Sequence, residues 1–170
     1  MQMPAEAQQP PVLAAAVLAQ APAGLQAVGR GRLTFWGLQV YDAVLWAAPG
    51  FRAESFEQHA LVLELGYLRE LEAADIARVS LEQMQRHETI EPAQAQRWQA
   101  QLAALLPDVR RGDRLAGLHR PGQGAAFFHN GRAIGEIADA RFARLFFAIW
   151  LGEATSEPAL RQALLGQGKP

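Results

Sequence analysis

The 170-residue sequence has no cysteine, which excludes disulfides, thiol nucleophiles and thiolate metal ligands. It has no clustered basic stretch: the formal net charge is −1 and the two signs are interleaved. That removes the electrostatic footprint of a nucleic-acid-binding face. No apolar run approaches the ~20 residues that span a bilayer as a helix. The strongest candidate, Phe142 to Leu151, falls far short of that and contains Arg144. Phosphate loops are missing too, since Gly29-x-Gly31 and Gly122-x-Gly124 each lack the rest of the pattern. There is no G-x-S-x-G nucleophile turn. His59, His87, His119 and His129 are scattered without H-x-x-x-H or H-E-x-x-H spacing, so no metal site and no cofactor are expected. Glu82, His87 and Glu88 read as a solvated helix face.

What remains is one ordinary globular domain, 50% hydrophobic and 19% charged. A chain this long buries roughly two-thirds of its unfolded surface. Pro11 to Ala23, "PVLAAAVLAQAPA", is apolar and small with an A-x-A-like end, but no Lys or Arg comes before Arg30. A secretory signal needs a positive segment ahead of its apolar run. Residues 1–24 therefore read as a flexible leader, a remnant of an export signal or a spacer after one, and residues 25–170 as the folded domain.

From Leu25 the pattern is strand-like. "LQAV" and "RLTFW" flank Gly29-Arg30-Gly31, which predicts a tight hairpin turn there, and the second strand runs on through "LQVYDAVLWA". In Ala60 to Arg69, Leu61, Leu63, Leu65 and Tyr67 share one face and Glu64 lies on the other. The period then changes to helical over Ala73 to His87. A second helix starts near Glu91-Pro92, buries Trp98 and Leu102, and stops at Pro107-Asp108. "DRLAGLH" reads as a strand, and Asn130-Gly131 as the turn of a clear hairpin. Asp139 caps a long buried helix that Gly152 ends. Thr155 or Ser156 is expected to cap the last helix, with Pro158 in its first turn. Strands joined by hairpins, with helices grouped between and after them, define an α+β fold on an antiparallel sheet.

Arg32, Thr34 and Trp36 share one strand face while Leu33 and Phe35 take the other. That face is either the wet side of an amphipathic sheet or a ligand cleft with a cation at one end.

Four stretches, in order, resemble the chalcone isomerase-like family in its bacterial branch. They are "RLTFWGLQVYDAVLW", "LELGYLRELEAADIARVSLEQ", "FFHNGRAIGEIADARFARLFFAIWLG" and "GEATSEPALR". The resemblance implies an open-faced antiparallel sheet with helices packed on one side and a cleft between them. Plant members of the family close a chalcone to a flavanone, and other members are non-catalytic and bind fatty acids. In register, the enzymes' Arg falls on Gly24, the strand Thr on Trp36, the helical Tyr and Asn on Asp75 and Glu82, and the C-terminal Ser/Thr on Leu160. A shift near the first hairpin brings Arg30 or Arg32 to the Arg position. Two carboxylates at the Tyr and Asn positions repel a phenolate and an enolate, and one lost oxyanion donor costs ~3 kcal/mol. The resemblance therefore implies a non-catalytic relative.

Three readings follow. The first is a binding protein whose cleft holds a small apolar ligand such as a fatty acid. Arg32, Trp36, Arg30, Thr34 and Tyr67 are its candidate contacts, and Arg32 or Arg30 meets the carboxylate. The second is an isomerase or lyase of altered chemistry with Asp75 or Glu82 as base. The third is an accessory module with a filled cleft. Neither a nucleic-acid partner nor an integral membrane segment is expected. The resemblance favours a periplasmic location over a cytoplasmic one, and nothing in the sequence specifies an oligomeric state.

Overall fold

The fold is seen in a computed structural model, which describes residues 11–167. Residues 1–10 of the expected leader and 168–170 lie outside the described residues. Helix α1 (Ala15–Gln20) comes first, followed by strands β1 (Gln26–Phe35) and β2 (Leu38–Ala47). Strand β3 (Leu61–Tyr67) leads into helices α2 (Ala73–Met84) and α3 (Pro92–Leu105). Strands β4 (Arg114–Arg120), β5 (Gly124–His129) and β6 (Arg132–Ile137) complete the sheet, and helices α4 (Ala140–Leu151) and α5 (Pro158–Leu164) close the chain. The six strands lie in sequence order, each antiparallel to its neighbour.

Two-residue turns set both outer hairpins. Asn130-Gly131 joins β5 to β6 at φ 49° and 83°, where the sequence predicts it. Paired positive φ values match the twist of the flanking strands. The first hairpin differs from expectation. Its turn is Trp36-Gly37, at φ 52° and 76°, and β1 runs unbroken through Gly29-Arg30-Gly31. Those glycines serve close approach instead of a turn. A Cβ at Gly31 would sit 2.9 Å from the Ala163 Cβ and the Leu160 Cδ1, and one at Gly29 would collide with the Ala163 and Leu164 carbonyl oxygens. Helix α5 lies across β1 because neither glycine has a side chain.

The four helices α2–α5 pack on one face of the sheet, as the resemblance implies. Leu61, Leu63, Leu65 and Tyr67 of β3 point into that core, with Phe142, Phe146 and Phe147 of α4 above the sheet. Asp139 accepts the Arg141 and Phe142 N–H groups at 2.9 and 3.0 Å and caps α4 as expected. Arg141 and Arg144 both reach Glu88, at 2.8 and 3.0 Å, and tie α4 to the α2–α3 connection. Asp108 accepts the Ala73 N–H at 2.8 Å and fixes the start of α2.

Where the sequence reading expects a flexible leader, the described part is ordered. Leu13 and Val17 are buried on the opposite face of the sheet, against Trp46, Val62, Leu118 and Phe128. The central strands are apolar on both faces, and the second face needs a cover. The apolar run before Ala23 supplies it.

Candidate functional site

A cavity of about 480 Å³ lies between the sheet and the helices. Leu63, Leu65 and Phe127 form its sheet side, and Ile76, Phe146 and Leu160 its helix side. Leu33 and Phe35 of β1, Val79 of α2 and the segment Thr155–Glu157 frame the mouth. Its size falls within the ~300–1,000 Å³ usual for small-molecule sites, and so does its character, mainly apolar with few polar groups.

Most of its polar atoms are already committed. Ser80 donates to the Ile76 carbonyl at 2.7 Å. Thr155 donates to the Ile149 carbonyl at 2.7 Å and accepts the Glu157 N–H at 3.1 Å. Ser156 donates to the Gln83 side chain at 2.9 Å across the mouth. These bonds correct the expected cap: both hydroxyls hold the connection to α5, and only Pro158 at the first helical position matches the expectation.

Two hydroxyls remain. The Tyr41 hydroxyl accepts the Trp150 Nε1–H at 2.9 Å, which leaves its own proton free to donate. The Tyr67 hydroxyl has no hydrogen-bond partner among the described residues. The two rings are cross-strand partners on β2 and β3, meeting edge-on with centroids 5.7 Å apart. Burial pushes the Tyr41 phenol up to about 12, with the Trp150 hydrogen bond opposing and Glu157 adding to the shift. Burial also raises Tyr67 well above the ordinary phenol value, and Tyr41 adds to it. Both are neutral donors at physiological pH.

Among the described residues the cavity lining contains no Lys, Arg or His, and its only charged members are Asp75, Glu82 and Glu157 at the mouth. Arg78 bridges the first two, at 3.4 Å to Asp75 and 3.0 Å to Glu82. Their side chains are 54% and 57% exposed. They lack the burial and mutual contact that a carboxylate acid–base pair uses.

The sequence-predicted contacts separate sharply. Tyr67 lines the cavity, and Asp75 and Glu82 stand at its mouth. Arg30, Arg32 and Thr34 are exposed on the outer face of β1, since Leu33 and Phe35 take the inner one. Arg32 grips Asp42 of β2 with two hydrogen bonds, at 2.6 and 3.0 Å. Trp36 lies in the turn, 87% exposed, and does not line the cavity. The mixed polar and aromatic face is therefore the wet side of an amphipathic strand. Of the five catalytic positions carried over by resemblance, Asp75, Glu82 and Leu160 reach the cavity; Gly24 and Trp36 do not. Tyr41 and Trp150 were missed. Tyr41 alternates with Ala43 and Leu45 on β2, which marks it as inward-facing, but its partner is more than a hundred residues away.

Comparison with known proteins agrees with this geometry. The chain belongs to the chalcone isomerase-like family, which it matches over residues 15–166. The crystal structure of an Arabidopsis thaliana fatty-acid binding protein is similar to it, with a TM-score of 0.65 at 13% identity, over 85% of this chain and 88% of that one. At that identity the likeness is one of fold. No curated protein sequence matches the chain.

Proposed function

We propose that this protein is a non-catalytic member of its family that holds a small apolar ligand, an acyl chain such as that of a fatty acid, in the sheet–helix cavity. The observation that carries the reading is the cavity itself: an apolar space with two free phenol donors and, among the described residues, no cation in its lining. The acyl chain lies against the leucines and phenylalanines, and an acceptor on its polar end meets Tyr41 and Tyr67. With the Arg78 guanidinium already held by Asp75 and Glu82, and three carboxylates at the mouth, an ionised acid is disfavoured. The acid binds protonated, or an uncharged ester or amide takes its place. The fold shared with a fatty-acid binding protein supports the ligand class. The altered-chemistry reading has only the exposed, ion-paired Asp75 and Glu82 behind it, and an open cavity argues against the filled-cleft module.

The test is native mass spectrometry of the protein as purified, with extraction of anything bound, followed by titration of the delipidated protein with long-chain fatty acids and their methyl esters. A co-purifying acyl compound, or saturable binding of one equivalent, is expected. Absence of saturable binding to every acid and ester would overturn the proposal.

A further inference from the structure

Beside the cavity mouth is an apolar point that the fold does not use. Phe35, Trp36 and Leu38 at the β1–β2 tip are 55%, 87% and 50% exposed. Phe35 also lines the mouth, opposite the exposed Val79 of α2. Trp36 packs edge-on against Phe35 at 5.9 Å and has φ 52°. Bulky side chains are outliers in that left-handed region, whereas Asn is at home there. The same chain closes its other two-residue hairpin with Asn130-Gly131. A Trp in this position strains the turn and buries little of its ring within the described residues, so packing inside the fold does not account for it.

The charges nearby point to a contact outside the chain. The β1–β2 tip, the connection after β3 and the loop before β4 all lie at one end of the sheet. That end carries Arg69, Arg110 and Arg111 together with Glu70, Glu72, Asp108 and Asp113. Asp108 is taken up by the Ala73 N–H, and Asp113 faces His129. None of the three arginines has a carboxylate within ion-pair distance among the described residues. At the opposite end Arg52 and Arg120 are paired, with Glu54 and Glu136. The loop holding Arg110 and Arg111 leads into β4, two strands from β2, or about 10 Å at ordinary strand spacing. Trp favours the headgroup layer of a bilayer, and unpaired arginines beside it favour anionic phosphates.

We propose that the β1–β2 tip inserts into an anionic membrane surface, with Arg69, Arg110 and Arg111 against the lipid phosphates and the Phe35 side of the cavity mouth next to the lipid, while Asp75 and Glu82 stay paired with Arg78. The docking stands on the tip and the arginines. That an apolar ligand passes between membrane and cavity at this point rests on the function proposed above.

The test is co-sedimentation of the full chain with phosphatidylcholine vesicles, alone and mixed with phosphatidylglycerol. Trp36→Asn removes the apolar tip while suiting the turn, so the fold is kept. The wild type is expected to bind the anionic vesicles and to leave them as salt rises. Trp36→Asn is expected to weaken binding about tenfold. Arg110→Gln with Arg111→Gln is expected to cost about tenfold or more on anionic vesicles and little on neutral ones. Absence of vesicle binding, or binding that no variant alters, overturns the docking. Dimers that Trp36→Asn dissolves, with no vesicle binding, also overturn it and make the tip a contact between copies. A vesicle-free titration of wild type and Trp36→Asn with a fluorescent acyl probe separates the two claims. Probe binding without vesicle binding rejects the docking alone, and vesicle binding without probe binding rejects the cavity reading alone.

Discussion

Tyr41 and Tyr67 show how little polarity this site contains. Each phenol sits in an apolar wall, and burial raises its pKa further above the physiological range. Tyr67→Phe is expected to weaken binding of an acyl ester by about 0.5–1.5 kcal/mol, the worth of one hydrogen bond, and to leave binding of a plain hydrocarbon unchanged in parallel titrations. Tyr41→Phe removes a donor to the ligand and also strips the acceptor from the Trp150 Nε1–H. It is expected to lower stability by ~1–3 kcal/mol as well, read from a denaturant midpoint. Arg32→Ala is expected to leave ligand affinity unchanged and to cost at most ~1 kcal/mol of stability, since the ion pair with Asp42 is half-exposed on the outer face. Here the sequence was half legible. Strand alternation placed Tyr67 correctly and separated Arg32 from Leu33, but it could not say which of the two faces met the helices.

Glu64 adds a pH dependence at the same scale. It is 9% exposed on the outer face of β3, and burial pushes its carboxyl above the ordinary carboxylate range, partly opposed by Arg114. As pH rises, the unfolded chain gives up this proton before the folded one does. Stability therefore falls through the window between the ordinary and the raised value. Glu64→Gln is expected to raise the thermal midpoint at neutral pH and to lose that gain below about pH 4.

At the scale of elements, two contacts were invisible to local pattern. Gly29 and Gly31 look like turn residues, because glycine between two strand-like runs usually is. Only the approach of α5, more than a hundred residues later, shows that they are smooth surface on a continuous strand. Helix α1 was misread for a related reason. Its composition matches a flexible leader, and its order comes from the sheet face it covers. Elements with their own local signals, such as the Asn130-Gly131 hairpin, the Asp139 cap and the buried α4, were legible throughout. Val17 of α1 is fully buried against the sheet. Val17→Ala is expected to cost ~1–2 kcal/mol. Val17→Asp is expected to free α1 and raise binding of a hydrophobic dye to the uncovered face. If α1 contributes nothing, neither change moves the unfolding midpoint.

For the whole molecule, the sheet is covered on both sides, yet one layer keeps an open space. A chain of this size would gain stability by filling it, as surrounding side chains do in ordinary cores. Family membership fixes the architecture that makes the space possible. Among the described residues the cavity lining holds no cation, and Leu160 makes part of its wall apolar, which suits an uncharged occupant.

The measurement that tests this most directly is displacement of a fluorescent acyl probe from the delipidated full chain by a long-chain fatty acid, at about pH 5 and about pH 8, on either side of much of the acid's ionisation in lipid-like surroundings. It is made with the wild type and with Ile76→Trp, which fills the cavity from α2. The account predicts single-site binding by the wild type, tighter at the lower pH, and its loss in an Ile76→Trp protein that still unfolds cooperatively. No saturable binding at either pH, or equal affinity in the cavity-filled variant, would contradict it.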